Sequence, residues 1–285
     1  MPELPEVETI RRGLLKCIVR EKGGKILEVR VEEAKSFIGE GAEIVGATVV
    51  RLRRKGKALI LDFDNRKSAI IHLRMTGQLV WVGKERFAGG HPNDNFIAEL
   101  PNKQTRVEIV FENGTLFFND QRKFGFIKVV PTSEVEKDSF IAKLAKEPWE
   151  MTGKELFKKL QRHKGAPIKS VILDQTIICG LGNIYADEAL FYASIHPRRK
   201  AGSLSAQETE KLVEGARVVM ERSLDAGGST IRNYVKSDGT KGDYLELFAE
   251  VFNRQGKPCR RCGERIEKIK VGGRGTHFCP KCQKE

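Results

Sequence analysis

The sequence predicts an α+β fold: an N-terminal helix and an antiparallel β domain, then a helical domain, then a small four-cysteine module. Three observations predict it. Short apolar runs of period two, separated by Gly, Asn and charged turns, recur from Ile26 to Val130. Past Thr132 the spacing turns helical, with capping-box starts at Thr152 and Ser205. Near the end stand Cys259-x2-Cys262 and, sixteen residues on, Cys279-x2-Cys282.

The first eight residues, MPELPEVE, suit a helix start near Pro5. Glu6 and Glu8 favour the positive end of its dipole, and Val7, Ile10 and Leu14 fall on one face. The same stretch has a second property. Removal of Met1 would leave Pro2 with a free secondary amine, a nucleophile beside the carboxylates of Glu3 and Glu6.

The β segments follow: ILEVRVE from Ile26, ATVVRLRRKGKALILDFD broken near Gly56, then AIIHLRM, QLVWV, RVEIVF, TLFFND and GFIKVV. This spacing indicates an antiparallel sandwich or barrel, of which we expect the sandwich, ending near Pro131. Lys57 lies among other cations in RRKGK, where a charge run is usually a solvated face. Met75 closes the strand in HLRMTG. Arg122 and Phe124 share a hairpin turn in DQRKFG; an aromatic beside cations at a loop tip is a DNA wedge less often than a packed Phe.

In the helical region, IKSVILDQTIICGLGNIYADEALFYASIHP predicts an apolar helix from Ile168, a turn at CGLGN and a second helix from about Tyr185 to Ala193. Gly180 and Gly182 permit a tight turn whose N–H groups can hold a phosphate. The helix after Ser205 should stop at Gly227-Gly228, and the polar segment Ser229 to Asp243 should be a mobile loop. The expected domains are thus 1–131, 132–243 and 244–285.

Of the six cysteines, Cys17 and Cys179 stand alone. Cys259, Cys262, Cys279 and Cys282 have the spacing of a tetrahedral zinc site, and four thiolates leave no coordination position open for catalysis. One structural Zn2+ is expected. A module of this size cannot bury enough apolar surface to fold unaided, whereas zinc supplies roughly 10–16 kcal/mol. Between the pairs, Arg274 occupies a glycine-flanked turn from which it can grip a phosphate bidentately.

Composition narrows the partners. The chain has 285 residues, is 40% hydrophobic and carries a formal charge of +13. From Arg254 to Glu285, ten Lys and Arg face three Asp and Glu, a net of +7. Such a surface gains by displacing counterions from nucleic-acid phosphates. No run of about 18 apolar residues occurs and the start lacks a signal-peptide pattern, so a soluble, cytoplasmic chain with no membrane partner is expected.

In order from first residue to last, MPELPEVET, RRKGK, HLRMTG, D-x-R-x-F-G, GLGNIYADE and GRGTHFCPKCQ resemble bacterial formamidopyrimidine-DNA glycosylase. The resemblance implies a helix-two-turn-helix motif in the helical domain and a base-excision glycosylase with AP-lyase activity, acting as a monomer near the nucleoid. Its expected substrates are oxidised purines and abasic sites in duplex DNA. It implies attack by Pro2 on the anomeric carbon, protonation of the opening sugar by Glu3, and Lys57 and Glu6 in the same pocket. Arg274 would grip the phosphates beside the lesion and serve the δ elimination. Asn183 and Lys169 would contact phosphates, and Met75, Arg122 and Phe124 would fill the gap left by the flipped nucleotide. One departure stands out: the family's K-H-x-H is Lys103-Gln104-Thr105-Arg106 here, so Gln104 replaces a phosphate-contacting His.

Two rivals share parts of this pattern. Endonuclease VIII, the sister enzyme for oxidised pyrimidines, usually begins PEGPE rather than PELPE and uses a different wedge. A non-catalytic zinc-finger protein that binds lesions would explain charge and zinc but gives the Pro2 amine no role.

Overall fold

The computed structural model describes residues 1–20, 24–91, 97–226 and 248–285. These form two compact units, Met1–Ala142 and Lys143–Ala226 with 248–285. The loop expected from Ser229 to Asp243 lies outside the described residues.

Helix α1 (Leu4–Leu14) opens the first unit, slightly earlier than Pro5. Glu3 is its N-cap, and the Glu3 N–H donates to Glu6 Oε2 at 2.8 Å, which satisfies a donor the helix would otherwise leave open. Val7, Ile10 and Leu14 are buried at 1%, 2% and 0% exposure, as their shared face requires.

The strands form two open five-stranded sheets, a sandwich rather than a barrel. The first runs β1 (Ile26–Val31), β8 (Thr105–Phe111), β9 (Gly114–Asp120), β6 (Gly77–Gly83), β7 (Arg86–Gly90). The second runs β2 (Phe37–Ile38), β10 (Phe126–Pro131), β5 (Lys67–His72), β4 (Ala58–Phe63), β3 (Val49–Lys55). Neighbours are antiparallel except β2 and β10, which are parallel. Register stacks the core in rows. Trp81, Leu116 and Ile109 face one another across three strands, and so do Leu79, Phe118 and Val107. Leu59, Leu61, Ile71 and Ile127 of the second sheet complete the same core, together with the apolar face of α1.

In the second unit, both predicted capping boxes form. Thr152 starts α2 (Gly153–Leu160) and Ser205 starts α5 (Ala206–Asp225). Helix α5 ends at Asp225 with Ala226 as its C-cap; the glycine pair expected to stop it, Gly227-Gly228, lies outside the described residues. The apolar helix from Ile168 is shorter than its composition predicts, since α3 covers only Ile168–Ile172. Polar side chains compete there for backbone groups: Asp174 Oδ1 accepts from the Thr176 N–H at 2.8 Å, and Gln175 Nε2 donates to the carbonyls of Leu173 and Leu181 at 3.0 and 2.8 Å. Helix α4 (Asn183–Tyr192) starts at the Asn, two residues before the expected Tyr185. The C-terminal module carries the hairpin β11 (Glu267–Val271) and β12 (Arg274–Phe278). Among the described residues, no helix is long and apolar enough to cross a membrane.

Candidate active site

In the first unit, the start of α1 brings Pro2, Glu3 and Glu6 together, with Glu3 and Glu6 only 3% and 2% exposed. Lys57 joins them from the turn between β3 and β4 and is 5% exposed, so it is not part of a solvated basic face. Burial lowers the Met1 amine below the ordinary α-amino value, Glu3 and Glu6 oppose the shift, and the charge of Lys57 adds to it.

The hairpin carrying Lys57 is latched to α1 by Glu8. Its carboxylate accepts from Arg11 Nη2 at 2.8 Å, Arg12 Nε at 3.0 Å and, across from β3, Arg54 Nε at 3.3 Å. Burial pushes the Glu8 carboxyl up, but these hydrogen bonds and the charges of Arg11 and Arg54 outweigh it and hold Glu8 below the usual range.

Met75 is half-buried in the turn after β5, while Arg122 and Phe124 are exposed in the turn after β9. Phe124 is 55% exposed and therefore not a core residue; the Arg122 guanidinium lies 5.0 Å from its ring centroid. The two turns meet, since the Arg122 N–H donates to Thr76 Oγ1 at 3.1 Å. Gln104 belongs to the same corner through its carbonyl, which accepts from the Asp120 N–H at 2.9 Å.

Two histidines here carried no signal in the sequence. His72 Nδ1 accepts from the Arg74 N–H at 2.9 Å, and burial drives its pKa down to about 3, with Arg74 and Lys57 adding to the fall. It is therefore a neutral imidazole at any physiological pH. His91 donates its backbone N–H to the Gly77 carbonyl at 3.1 Å; burial lowers its pKa, the chain's terminal amine adds to this and Asp120 opposes it.

In the second unit, Arg274 is exposed at the tip of the β11–β12 hairpin, after Gly272 and Gly273 at φ +54° and +77°. A two-residue turn with both φ positive favours glycine at both positions. Beneath it, Asn183 Nδ2 donates to the Gly275 carbonyl at 3.0 Å, and Lys169 Nζ donates to the same carbonyl at 3.2 Å and to Thr276 Oγ1 at 2.8 Å. Lys169 has no exposed surface.

The four Sγ atoms of Cys259, Cys262, Cys279 and Cys282 lie within 4.8 Å of one another. Sulfurs about 2.3 Å from a tetrahedral zinc would stand roughly 3.8 Å apart. The separations of 4.0 Å for Cys259–Cys282 and 3.5 Å for Cys262–Cys279 match a closed site for a structural metal.

Comparison with known proteins matches residues 1–127 to the formamidopyrimidine-DNA glycosylase N-terminal domain and residues 144–235 to the H2TH domain of the same enzyme. Residues 256–284 match a zinc finger found in FPG and IleRS. The formamidopyrimidine-DNA glycosylase of Pelotomaculum thermopropionicum is 39% identical over 100% of this chain and 99% of its own. Two Lactococcus lactis Fpg structures cover 100% of both chains. One, a point mutant bound to DNA containing Fapy-dG, has TM-score 0.86 at 34% identity. The other, bound to DNA with an abasic site, has TM-score 0.85 at 33% identity.

Proposed function

The chain belongs to the formamidopyrimidine-DNA glycosylase family, and we propose that it removes oxidised purines, 8-oxoguanine and formamidopyrimidines, from duplex DNA and then cleaves the strand. It is a base-excision-repair DNA glycosylase. The observation that carries the finer reading is the buried cluster of Pro2, Glu3, Glu6 and Lys57 at the start of α1.

Once Met1 is removed, the Pro2 amine is the nucleophile. An α-amino group has a pKa of about 8 against about 10.4 for Lys, so more of it is unprotonated near neutral pH. Burial of the kind that lowers the Met1 amine acts in the same direction. The Pro2 nitrogen attacks the anomeric carbon, the damaged base departs with its bonding pair, and Glu3 protonates the opening sugar oxygen. A secondary amine then yields an iminium that stays charged and accepts the electron pair released when a C2′ proton is lost. That loss expels the 3′ phosphate; a second elimination, served by Arg274, expels the 5′ phosphate. Lys57 and Glu6 hold charge beside the reacting sugar and base.

Met75, Arg122 and Phe124 fill the gap left by the flipped nucleotide, which offsets part of the few kcal/mol of lost stacking. Asn183 and Arg274 are assigned to phosphates; the burial of Lys169 fits a role beneath the Arg274 turn rather than direct contact. Gln104 keeps a hydrogen-bonding amide at the position where the resemblance implies a His. We further infer one structural Zn2+ held by the four cysteines, a monomer, and action in the cytoplasm at the nucleoid. The endonuclease VIII reading is disfavoured by Leu4 and by the names of the relatives, and the non-catalytic reading leaves the amine unused.

Borohydride reduction should trap a covalent complex with duplex DNA carrying 8-oxoguanine, and Pro2→Gly or retention of Met1 should abolish it. Absence of trapping by the processed wild type on both 8-oxoguanine and abasic DNA would overturn the enzymatic mechanism. A panel of lesions and opposite bases then separates purine from pyrimidine specificity.

A further inference from the structure

We propose that Asp120 is the positioning residue of the wedge: one buried carboxylate that sets the two turns bearing Met75, Arg122 and Phe124. This rests on the glycosylase reading above. Asp120 is the last residue of β9 and is 0% exposed. Its Oδ1 accepts from Thr76 Oγ1 and, at 3.1 Å, from the Arg122 N–H. Its Oδ2 accepts from the N–H groups of Phe124 at 2.9 Å and Gly125 at 2.7 Å. Thr76 adjoins Met75 in the other turn, and its hydroxyl also accepts from the Arg122 N–H, closing a ring of bonds around the carboxylate.

The chemistry calls for a carboxylate at this position. An ionised carboxylate is acceptor-only and offers about four lone-pair sites, here facing four donors. Hydrogen bonds to it are charge-assisted and stronger than those to a neutral amide oxygen. The wedge side chains cannot hold themselves, because Arg122 and Phe124 are exposed and Lys123 between them sits at φ +57°. Backbone hydrogen bonds to Asp120 fix the turn from which the ring projects. Gly125 serves the same end: a Cβ there would come within 2.7 Å of Phe118 Cζ and 3.1 Å of Asp120 Oδ2, so a side chain would crowd the carboxylate out. The Asp120 backbone draws in a third segment. Its N–H donates to the Gln104 carbonyl at 2.9 Å, and its carbonyl accepts from Arg106 Nε at 2.7 Å.

The test is Asp120→Asn, whose amide NH2 would face backbone donors. Single-turnover excision of 8-oxoguanine from a duplex should fall at least tenfold. Cleavage at a pre-formed abasic site, where no base needs displacing, should fall less than threefold. A 2-aminopurine next to the lesion should lose the fluorescence change that reports wedge insertion. Thr76→Val, which keeps the carboxylate but removes one donor, should show a smaller loss of the same kind and carries the test if Asp120→Asn does not fold. Asp138→Asn is the control for stability alone, since Asp138 is a buried carboxylate of the same unit that accepts from the Phe140 N–H at 2.9 Å and from Lys128 at 2.6 Å. Wild-type excision and insertion in the Asp120 variant, or equal loss of both activities, or the same pattern in Asp138→Asn, would overturn the proposal. Failure of the wild type on both substrates would instead overturn the glycosylase mechanism.

Discussion

Lys169 Nζ lies 2.6 Å from Asp187 Oδ1, and neither side chain has any exposed surface. This pair ties α3 to α4, and Asp187 Oδ2 also accepts the His277 N–H of β12 at 2.9 Å. Lys169 and Asn183 both donate to the Gly275 carbonyl, one residue from Arg274. The helical motif and the hairpin tip of this unit are therefore one polar network.

Breaking one side of such a pair leaves a buried charge without its partner, which costs about 3–5 kcal/mol. Asp187→Ala should lower stability by that amount in urea unfolding. The double variant Lys169→Met with Asp187→Leu should recover most of it. Equal losses in the single and double variants would mean that the pair is not what stabilises this unit.

Arg274→Ala should leave the fold intact, because the side chain is exposed, and should weaken binding to duplex DNA of any sequence. Its signature is a salt slope reduced by about one phosphate contact. An unchanged slope would remove Arg274 from the phosphate grip.

Chelation of the metal, or Cys262→Ser, should unfold the hairpin module, since bound zinc supplies roughly 10–16 kcal/mol that a small apolar cluster cannot replace. Val251, Ile266 and Phe191 are the buried apolar side chains that pack with the cysteines, too few to hold the hairpin alone. Far-UV circular dichroism and metal content should fall together, and DNA affinity with them. A metal-free protein with an unchanged spectrum would refute this.

Glu8 links α1 to the strand preceding Lys57, and its folded pKa is depressed. Its contribution is therefore present above the ordinary glutamate pKa of about 4.3 and is lost as pH falls through the folded value. Glu8→Gln should lower stability at pH 7 by about 1–2 kcal/mol. The gap between wild type and variant should close below the folded pKa. A constant gap from pH 7 to pH 3 would exclude the ionic latch.

Some of the site is local and could be read directly from the chain. Pro2, Glu3 and Glu6 share one helix start, and the two C-x2-C pairs state their own chemistry. Asp120 and Asp187 gave no such signal, because their roles depend on donors from other segments. Asp120 is bonded to Thr76, 44 positions away, and Asp187 to His277, 90 positions away.

Local patterning thus determined the α+β class, the strand runs, both capping boxes and the four-cysteine site, because periodicity, caps and ligand spacing act over a few residues. Only the tertiary structure decided that Lys57 is buried, that Phe124 is exposed, that α3 stops at Ile172, and that single carboxylates bind distant turns. Burial and polar satisfaction are properties of what surrounds a residue, and its surroundings come from chain segments that its own sequence neighbourhood does not contain.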